Sequence, residues 1–193
     1  MTIHEFGQDH DEVVVLVHPS VTMWDYFEYV IPLLQEHYHL IVPALPGYDT
    51  EIVSNFTSVE EIAEHLASWL ISMGKAGGLK ILQKAFSTDE YSEEDLQYIV
   101  RVLKHMSAKT IWRTFESCNN YAMPKPVASD CGHIEYWYAK AEEIDRKGDI
   151  TYMKKNLPQT VFQVFEHIGH GGLAVLKPEL LAAELTRIMG RKS

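Results

Sequence analysis

The sequence has little cysteine and no long apolar run, and each shortage excludes a class of protein. Its two cysteines, Cys118 and Cys131, cannot build the disulfide framework of a small secreted domain and lack the spacing of a metal site. The longest apolar stretches, such as Val13–Val17, are far shorter than the roughly 20 residues that a membrane-spanning helix needs. We therefore expect a protein with reduced thiols, no structural metal and no membrane span.

Basic residues are also scarce. The 17 Lys and Arg residues face 27 Asp and Glu residues, which gives a net charge of -10 at pH 7. This balance disfavours binding to nucleic acid or to an anionic membrane surface. The first residues, Met1–Glu5, lack the basic and apolar regions of a signal peptide. The expected location is the cytoplasm, and the expected partner is a small molecule.

What is present is the pattern of an α/β protein in a chain of 193 residues. Four stretches rich in β-branched or aromatic residues predict strands, and they cover Glu12–Val17, Tyr38–Val42, His133–Tyr138 and Thr160–Phe165. The first is a continuous apolar run, which suits a strand buried on both faces of a parallel sheet. Strands that alternate with helices predict a mostly parallel sheet flanked by helices.

The predicted helices are amphipathic and carry recognisable start or stop signals. One helix is predicted over Thr22–Glu36, with a break near Pro32 because proline cannot donate a backbone hydrogen bond. A second begins at Ser58, a good N-cap, and runs to about Leu70. Pro178–Met189 predicts a closing helix.

The middle of the chain departs from this alternation. Helical pieces are predicted over Leu79–Phe86, from the acidic start Ser92–Asp95, and over Ala108–Ser117, with no strand between them. We interpret residues 75–125 as a helical, cap-like insertion in one domain. The flanking α/β core segments are then residues 1–74 and 126–193.

Four short segments, each after a predicted strand, occur in the order that the α/β-hydrolase superfamily uses. They are His18–Ser20, Pro43–Tyr48, Tyr138–Glu142 and Gly169–Gly171. Together they resemble the family's oxyanion loop, a strand-end Pro-Gly loop, the segment of the catalytic acid and the segment of the catalytic histidine. The chain thus resembles an α/β-hydrolase with a helical cap and a reduced number of strands.

The resemblance implies that His170 is the catalytic base and that Glu142 orients its ring. Glu143 and Asp145 are alternative acids, and the plainer interpretations are a loop histidine and a solvated helix start. This chemistry needs no metal or cofactor, and we expect none. His18 is expected to be structural, with its ring bound by a backbone group.

The nucleophile is the weak part of the resemblance. A nucleophile elbow needs a strand, a tight turn and a helix, with small residues two positions before and after the nucleophile. Ser72 is the nearest match, since Gly74 meets the second requirement while Leu70 violates the first. The missing strand could only be Ala67–Ile71, where the predicted helix ends. The plainer interpretation of Ser72 is the frayed end of that helix.

The oxyanion donors are predicted from the same resemblance. Pro19 stands where the family has glycine and offers no N–H, so a donor from this loop would have to come from Ser20 or Val21. The donors proposed are the backbone N–H groups of Ser20 and Met73.

Two hypotheses follow. The first is a serine hydrolase for small apolar carboxylic esters or amides, shortened in its central sheet and without a cofactor. The second is a non-catalytic remnant that binds a small molecule or forms a homodimer through exposed sheet edges.

Overall fold

The computed structural model describes residues 1–20, 22–72, 81–82, 97–98, 101–102, 104–120 and 133–190. The strands are β1 Thr2–Phe6, β2 Val13–Leu16, β3 His39–Ala44, β4 Ile81–Leu82, β5 Glu135–Ala139 and β6 Val161–Phe165. The α-helices are α1 Ile31–Leu34, α2 Val59–Ser72, α3 Ala108–Asn120, α4 Lys147–Asn156, α5 Gly172–Leu176 and α6 Pro178–Met189. Two 3-10 helices cover Trp24–Phe27 and Lys140–Glu142. None of the described helices is long and apolar enough to cross a membrane.

The first four strands form one sheet in the order β1-β3-β2-β4. β2 runs parallel to β3 and β4, while β1 pairs antiparallel with β3 at the edge. Every residue of β3 is buried, as the predicted parallel sheet requires. β1 was not predicted, because its residues are all only partly buried and three of its five, Thr2, His4 and Glu5, are polar.

β4 corrects one prediction. The helix predicted over Leu79–Phe86 is wrong at Ile81–Leu82, where the chain pairs in parallel with Val15 and Leu16 of β2. A short apolar run has no periodicity that separates a helix from a buried strand. The core sheet therefore takes a strand from inside the stretch that was predicted as a helical insertion. The division of the chain at residues 74 and 126 stays a prediction.

β5 and β6 form a second, two-stranded parallel sheet in which Ala139 lies opposite Phe165. α4 covers one face, where Lys154 lies 5.3 Å from the centre of the Phe162 ring. α6 contacts the other face through Arg187. Since the two strands are parallel, their carboxyl ends reach the same edge, and both candidate site loops start there.

One apolar cluster joins the two halves of the chain. It packs Leu16 and Leu40 of the larger sheet with Phe165 of β6, Leu173 of α5 and Leu185 of α6. These side chains are buried, and their shared core holds the β5–β6 unit against the N-terminal strands.

His18 is structural, as predicted. Its side chain is 2% exposed, and its Nδ1 lies 3.1 Å from the carbonyl oxygen of Pro19. The backbone N–H of Leu45 donates to its Nε2 at 3.2 Å. The neutral ring thus satisfies one acceptor and one donor while it links the loops after β2 and β3.

Gly47→Ala is expected to lower the free energy of unfolding by about 2 kcal/mol. Gly47 has φ +87, and an added Cβ would lie 2.5 Å from the Phe56 nitrogen and 2.6 Å from the Thr110 hydroxyl. Urea denaturation measures the loss. The matched control is Gly148→Ala, whose Cβ would meet nothing within 4 Å and which lies in α4. Equal stabilities of the two variants would contradict the prediction.

Candidate active site

The carboxyl ends of β5 and β6 bring Glu142 and His170 together. After β5 ends at Ala139, one 3-10 turn places Glu142 three residues later. After β6 ends at Phe165, four residues lead to His170, which lies two positions before the start of α5. The parallel pairing of the strands, rather than closeness in sequence, creates this contact across 28 positions.

The two side chains share a hydrogen bond. Nδ1 of His170 contacts Oε1 of Glu142, and because a carboxylate only accepts, Nδ1 carries the proton. Nε2 is then the basic nitrogen of the ring. The side chains are 19% and 18% exposed, so the pair is shielded but reachable from solvent. Glu143, an alternative acid in the sequence analysis, binds Lys140 instead.

Glu142 is fixed by two further donors. Its Oε2 accepts the backbone N–H of Ala139 at 3.3 Å, which caps the 3-10 turn. Its Oε1 accepts a hydrogen bond from Nη2 of Arg146 at 3.3 Å. Arg146 was not predicted from the sequence, although a Glu–Arg pair four residues apart is a recognisable signal. The carboxylate is therefore held on both oxygens and has one orientation toward the imidazole.

The histidine loop is tied to the N-terminal half of the chain. Gly171 has φ +80, a conformation that glycine adopts without strain, and it turns the chain into α5. Its carbonyl oxygen accepts a 2.5 Å hydrogen bond from the hydroxyl of Tyr26, which is buried in the first 3-10 helix. This bond restrains the backbone next to His170. The ring is thus positioned by Glu142 and, through Gly171, by Tyr26 of the N-terminal half.

No protein-family model and no curated protein sequence matches the chain, but solved structures match almost its whole length. An esterase from Exiguobacterium antarcticum is 13% identical, with a TM-score of 0.76, and the match covers 98% of this chain and 95% of that one. MenH from S. aureus is 12% identical, with a TM-score of 0.73 and 97% of each chain covered. An alpha/beta hydrolase enzyme from a sediment metagenome of the Mar Chica lagoon, Morocco, is 17% identical, with a TM-score of 0.68 and coverage of 97% and 93%.

The chain has the α/β-hydrolase fold. At these identities the likeness is one of fold, and it confirms the fold class that the four sequence segments predicted. The Glu142–His170 pair then lies after two parallel strands of this α/β-hydrolase fold, where ligands of open α/β sheets bind.

Ser72 does not lie on a strand-to-helix turn of this fold. It is the last residue of α2, it is exposed, and its hydroxyl donates to the backbone carbonyl of Trp69 at 2.6 Å rather than to His170. Residues 67–71, where an elbow strand would have to lie, are helical, in line with the helix predicted from Ser58 to about Leu70. The reason is local: the capped helix that starts near Ser58 continues unbroken for fourteen residues. The role of Ser72 as nucleophile stays a prediction.

The loop after β2 is ordered by side-chain contacts. The carbonyl oxygen of Pro19 accepts a 2.7 Å hydrogen bond from the Thr22 hydroxyl. Ser20 is exposed, and its hydroxyl lies 4.0 Å from Sγ of Cys118 on α3. The backbone N–H of Ser20 as an oxyanion donor stays a prediction, and Met73 lies outside the described residues.

Proposed function

We propose that the chain hydrolyses small apolar carboxylic esters or amides by acyl transfer, with Glu142 and His170 as its acid–base pair. The observation that carries this proposal is the Nδ1–Glu142 hydrogen bond at the carboxyl ends of two parallel strands. A carboxylate that accepts from Nδ1 makes Nε2 the base and stabilises the imidazolium once Nε2 takes a proton. The α/β-hydrolase fold supports the same assignment.

The proposed reaction has two acyl-transfer steps. The oxygen of Ser72 attacks the substrate carbonyl carbon while its proton passes to Nε2 of His170. The imidazolium then gives that proton to the leaving alcohol or amine as the scissile bond breaks, which leaves an acyl-serine. Water attacks the acyl group in the same way, with His170 as base, and releases the carboxylic acid and the free serine.

The position of Ser72 sets a requirement for this function. Its hydroxyl must leave the Trp69 carbonyl, and the last turn of α2 must open so that the serine reaches the imidazole. Gly74, two residues on, supplies the small residue that a tight turn needs. In that state the backbone N–H groups of Ser20 and Met73 are the proposed donors to the oxyanion.

The test combines ester hydrolysis with active-site labelling. With a p-nitrophenyl ester as substrate, His170→Ala is expected to lower kcat/KM by about 10²–10⁴-fold, because it removes the general base. Ser72→Ala is expected to abolish covalent labelling by a fluorophosphonate, located by peptide mapping. His167→Asn is the matched control, since His167 lies in the same loop with φ 56, a conformation that asparagine tolerates. Equal activities of the two histidine variants would refute the proposed role of His170.

A second candidate function is a non-catalytic binding protein with this fold. Two observations favour it: the Ser72 hydroxyl is engaged within α2, and the described strands form two sheets rather than one. The edges between such sheets can pair with a second copy of the chain. Folded protein in which a fluorophosphonate labels no serine, together with a concentration-dependent dimer in sedimentation, would favour this function over hydrolysis.

A further inference from the structure

One guanidinium group contacts both members of the acid–base pair. Nη2 of Arg146 lies 3.3 Å from Oε1 of Glu142 and 3.5 Å from Nδ1 of His170. Its side chain is 35% exposed, so its charge is only partly screened by water. Neither the fold nor the proposed acyl transfer requires a cation at this position.

The chemistry of the three groups fixes the direction of the effect. A guanidinium only donates and a carboxylate only accepts, so a protonated Nδ1 can bind Glu142 but gains nothing from Arg146. The positive charge of Arg146 opposes a second positive charge on the imidazole. Arg146 also donates a hydrogen bond to Oε1 of Glu142, the same oxygen that would stabilise an imidazolium. Both effects favour the neutral ring.

We propose that Arg146 is a positioning residue that lowers the proton affinity of His170 and so keeps its imidazole neutral. A neutral ring is the form that a general base needs, and this catalytic consequence rests on the proposed function. The effect on the ring itself rests only on the contacts of Arg146.

A second ion pair, through the other terminal nitrogen, holds the Arg146 side chain. Its Nη1 lies 3.7 Å from Oδ2 of Asp149, and the same oxygen accepts a 3.3 Å hydrogen bond from the hydroxyl of Tyr136. Burial and the nearby Asp149 raise the pKa of Tyr136 to about 12, so this hydroxyl stays a donor. The backbone N–H of Arg146 also bonds the carbonyl of Glu142 at 2.9 Å. Glu142 and Arg146 thus both contact His170, and Asp149 pairs with Arg146.

An NMR titration of the histidine rings tests the inference without any substrate. The His170 resonances are assigned by their loss in His170→Ala, and the full-length chain is titrated as wild type and variants. In Arg146→Gln, the protonation midpoint of His170 is expected to move to higher pH by about half a unit, a threefold gain in proton affinity. Asp149→Asn keeps Arg146 and removes an anion, so it is expected to move the midpoint to lower pH.

Lys155→Gln is the matched control, since it removes one exposed positive charge from the last turn of α4, the helix that begins directly after Arg146. It is expected to leave the His170 midpoint unchanged. An unchanged or lower midpoint in Arg146→Gln, or a shift equal to that of Lys155→Gln, would overturn the inference.

The pH dependence of ester hydrolysis separates this inference from the proposed function. If both hold, the acid limb of the kcat/KM profile moves to higher pH in Arg146→Gln, in step with the NMR midpoint. A midpoint shift in a protein that hydrolyses no ester would leave the Arg146 inference standing and reject the hydrolase. Hydrolysis that depends on His170, without the midpoint shift, would support the hydrolase and overturn the Arg146 inference.

Discussion

Arg187→Ala is expected to lower the free energy of unfolding by about 3–5 kcal/mol, because it removes the guanidinium that pairs with a buried carboxylate. The side chain of Glu135 is only 3% exposed. Arg187 donates two hydrogen bonds to its carboxylate, from Nη2 to Oε2 at 2.7 Å and from Nη1 to Oε1 at 3.2 Å. The Trp137 indole N–H donates to the same carboxylate at 2.7 Å, and Nε2 of His133 lies 2.7 Å from it. This network connects β5 to α6. β5 is one of the two strands that lead to the candidate site.

The same network predicts how the loss varies with pH. Burial acts to raise the pKa of Glu135, but hydrogen bonds from Arg187, His133 and Trp137 outweigh it and lower the pKa from 4.5 to about 2. A carboxyl group with a lowered folded-state pKa stabilises the fold above its unfolded pKa, and this contribution is lost as the pH falls toward the folded value. The difference between wild type and Arg187→Ala should therefore narrow as the pH falls from 4.5 to about 2.

Urea denaturation at several pH values measures this loss. Arg101→Ala is the control, because its cation lies over the Tyr98 ring at 5.8 Å on an exposed side chain and should contribute at most about 1 kcal/mol. Adding Glu135→Gln to Arg187→Ala should recover part of the stability, since the buried carboxylate that lost its guanidinium partner is then replaced by a neutral amide. A loss no greater than that of Arg101→Ala would show that the network does not stabilise β5.

The second large expected result is a loss of about 3 kcal/mol of stability as the pH falls from 6.5 to about 4, caused by His18 alone. Burial lowers the pKa of His18 from 6.5 to about 4, against the smaller opposing effect of its hydrogen bond to Pro19. Between these two pH values the unfolded chain binds a proton at His18 that the folded chain does not. Stability from this group is therefore complete above pH 6.5, falls through the window and levels off below about pH 4.

The measurement is the difference in unfolding free energy between wild type and His18→Gln across this window. Taking the difference cancels the titration of the other groups, Glu135 among them. His65→Gln, which replaces an exposed histidine on α2, is the control for the substitution itself. A flat difference for His18→Gln would show that the ring is not buried in its neutral form.

The sequence by itself determined the strands and helices that local patterns encode. The apolar runs that became β2 and β3, the aromatic stretch of β5 and the bounds of α6 follow from hydrophobic periodicity and from proline at a helix start. It also predicted the meeting of Glu142 and His170. Each follows a strand, and parallel strands end at one edge of a sheet.

Only the tertiary structure decided the features that depend on distant partners. β4 has two residues and is a strand because β2 supplies its hydrogen bonds. Arg187 stabilises Glu135 from 52 positions away, and no local pattern links the two. Ser72 is the last residue of a helix, although the sequence around it resembles the second half of an elbow. A helix that has begun gains one hydrogen bond for each residue added, so it continues to Ser72. An elbow would need a neighbouring strand to hold it.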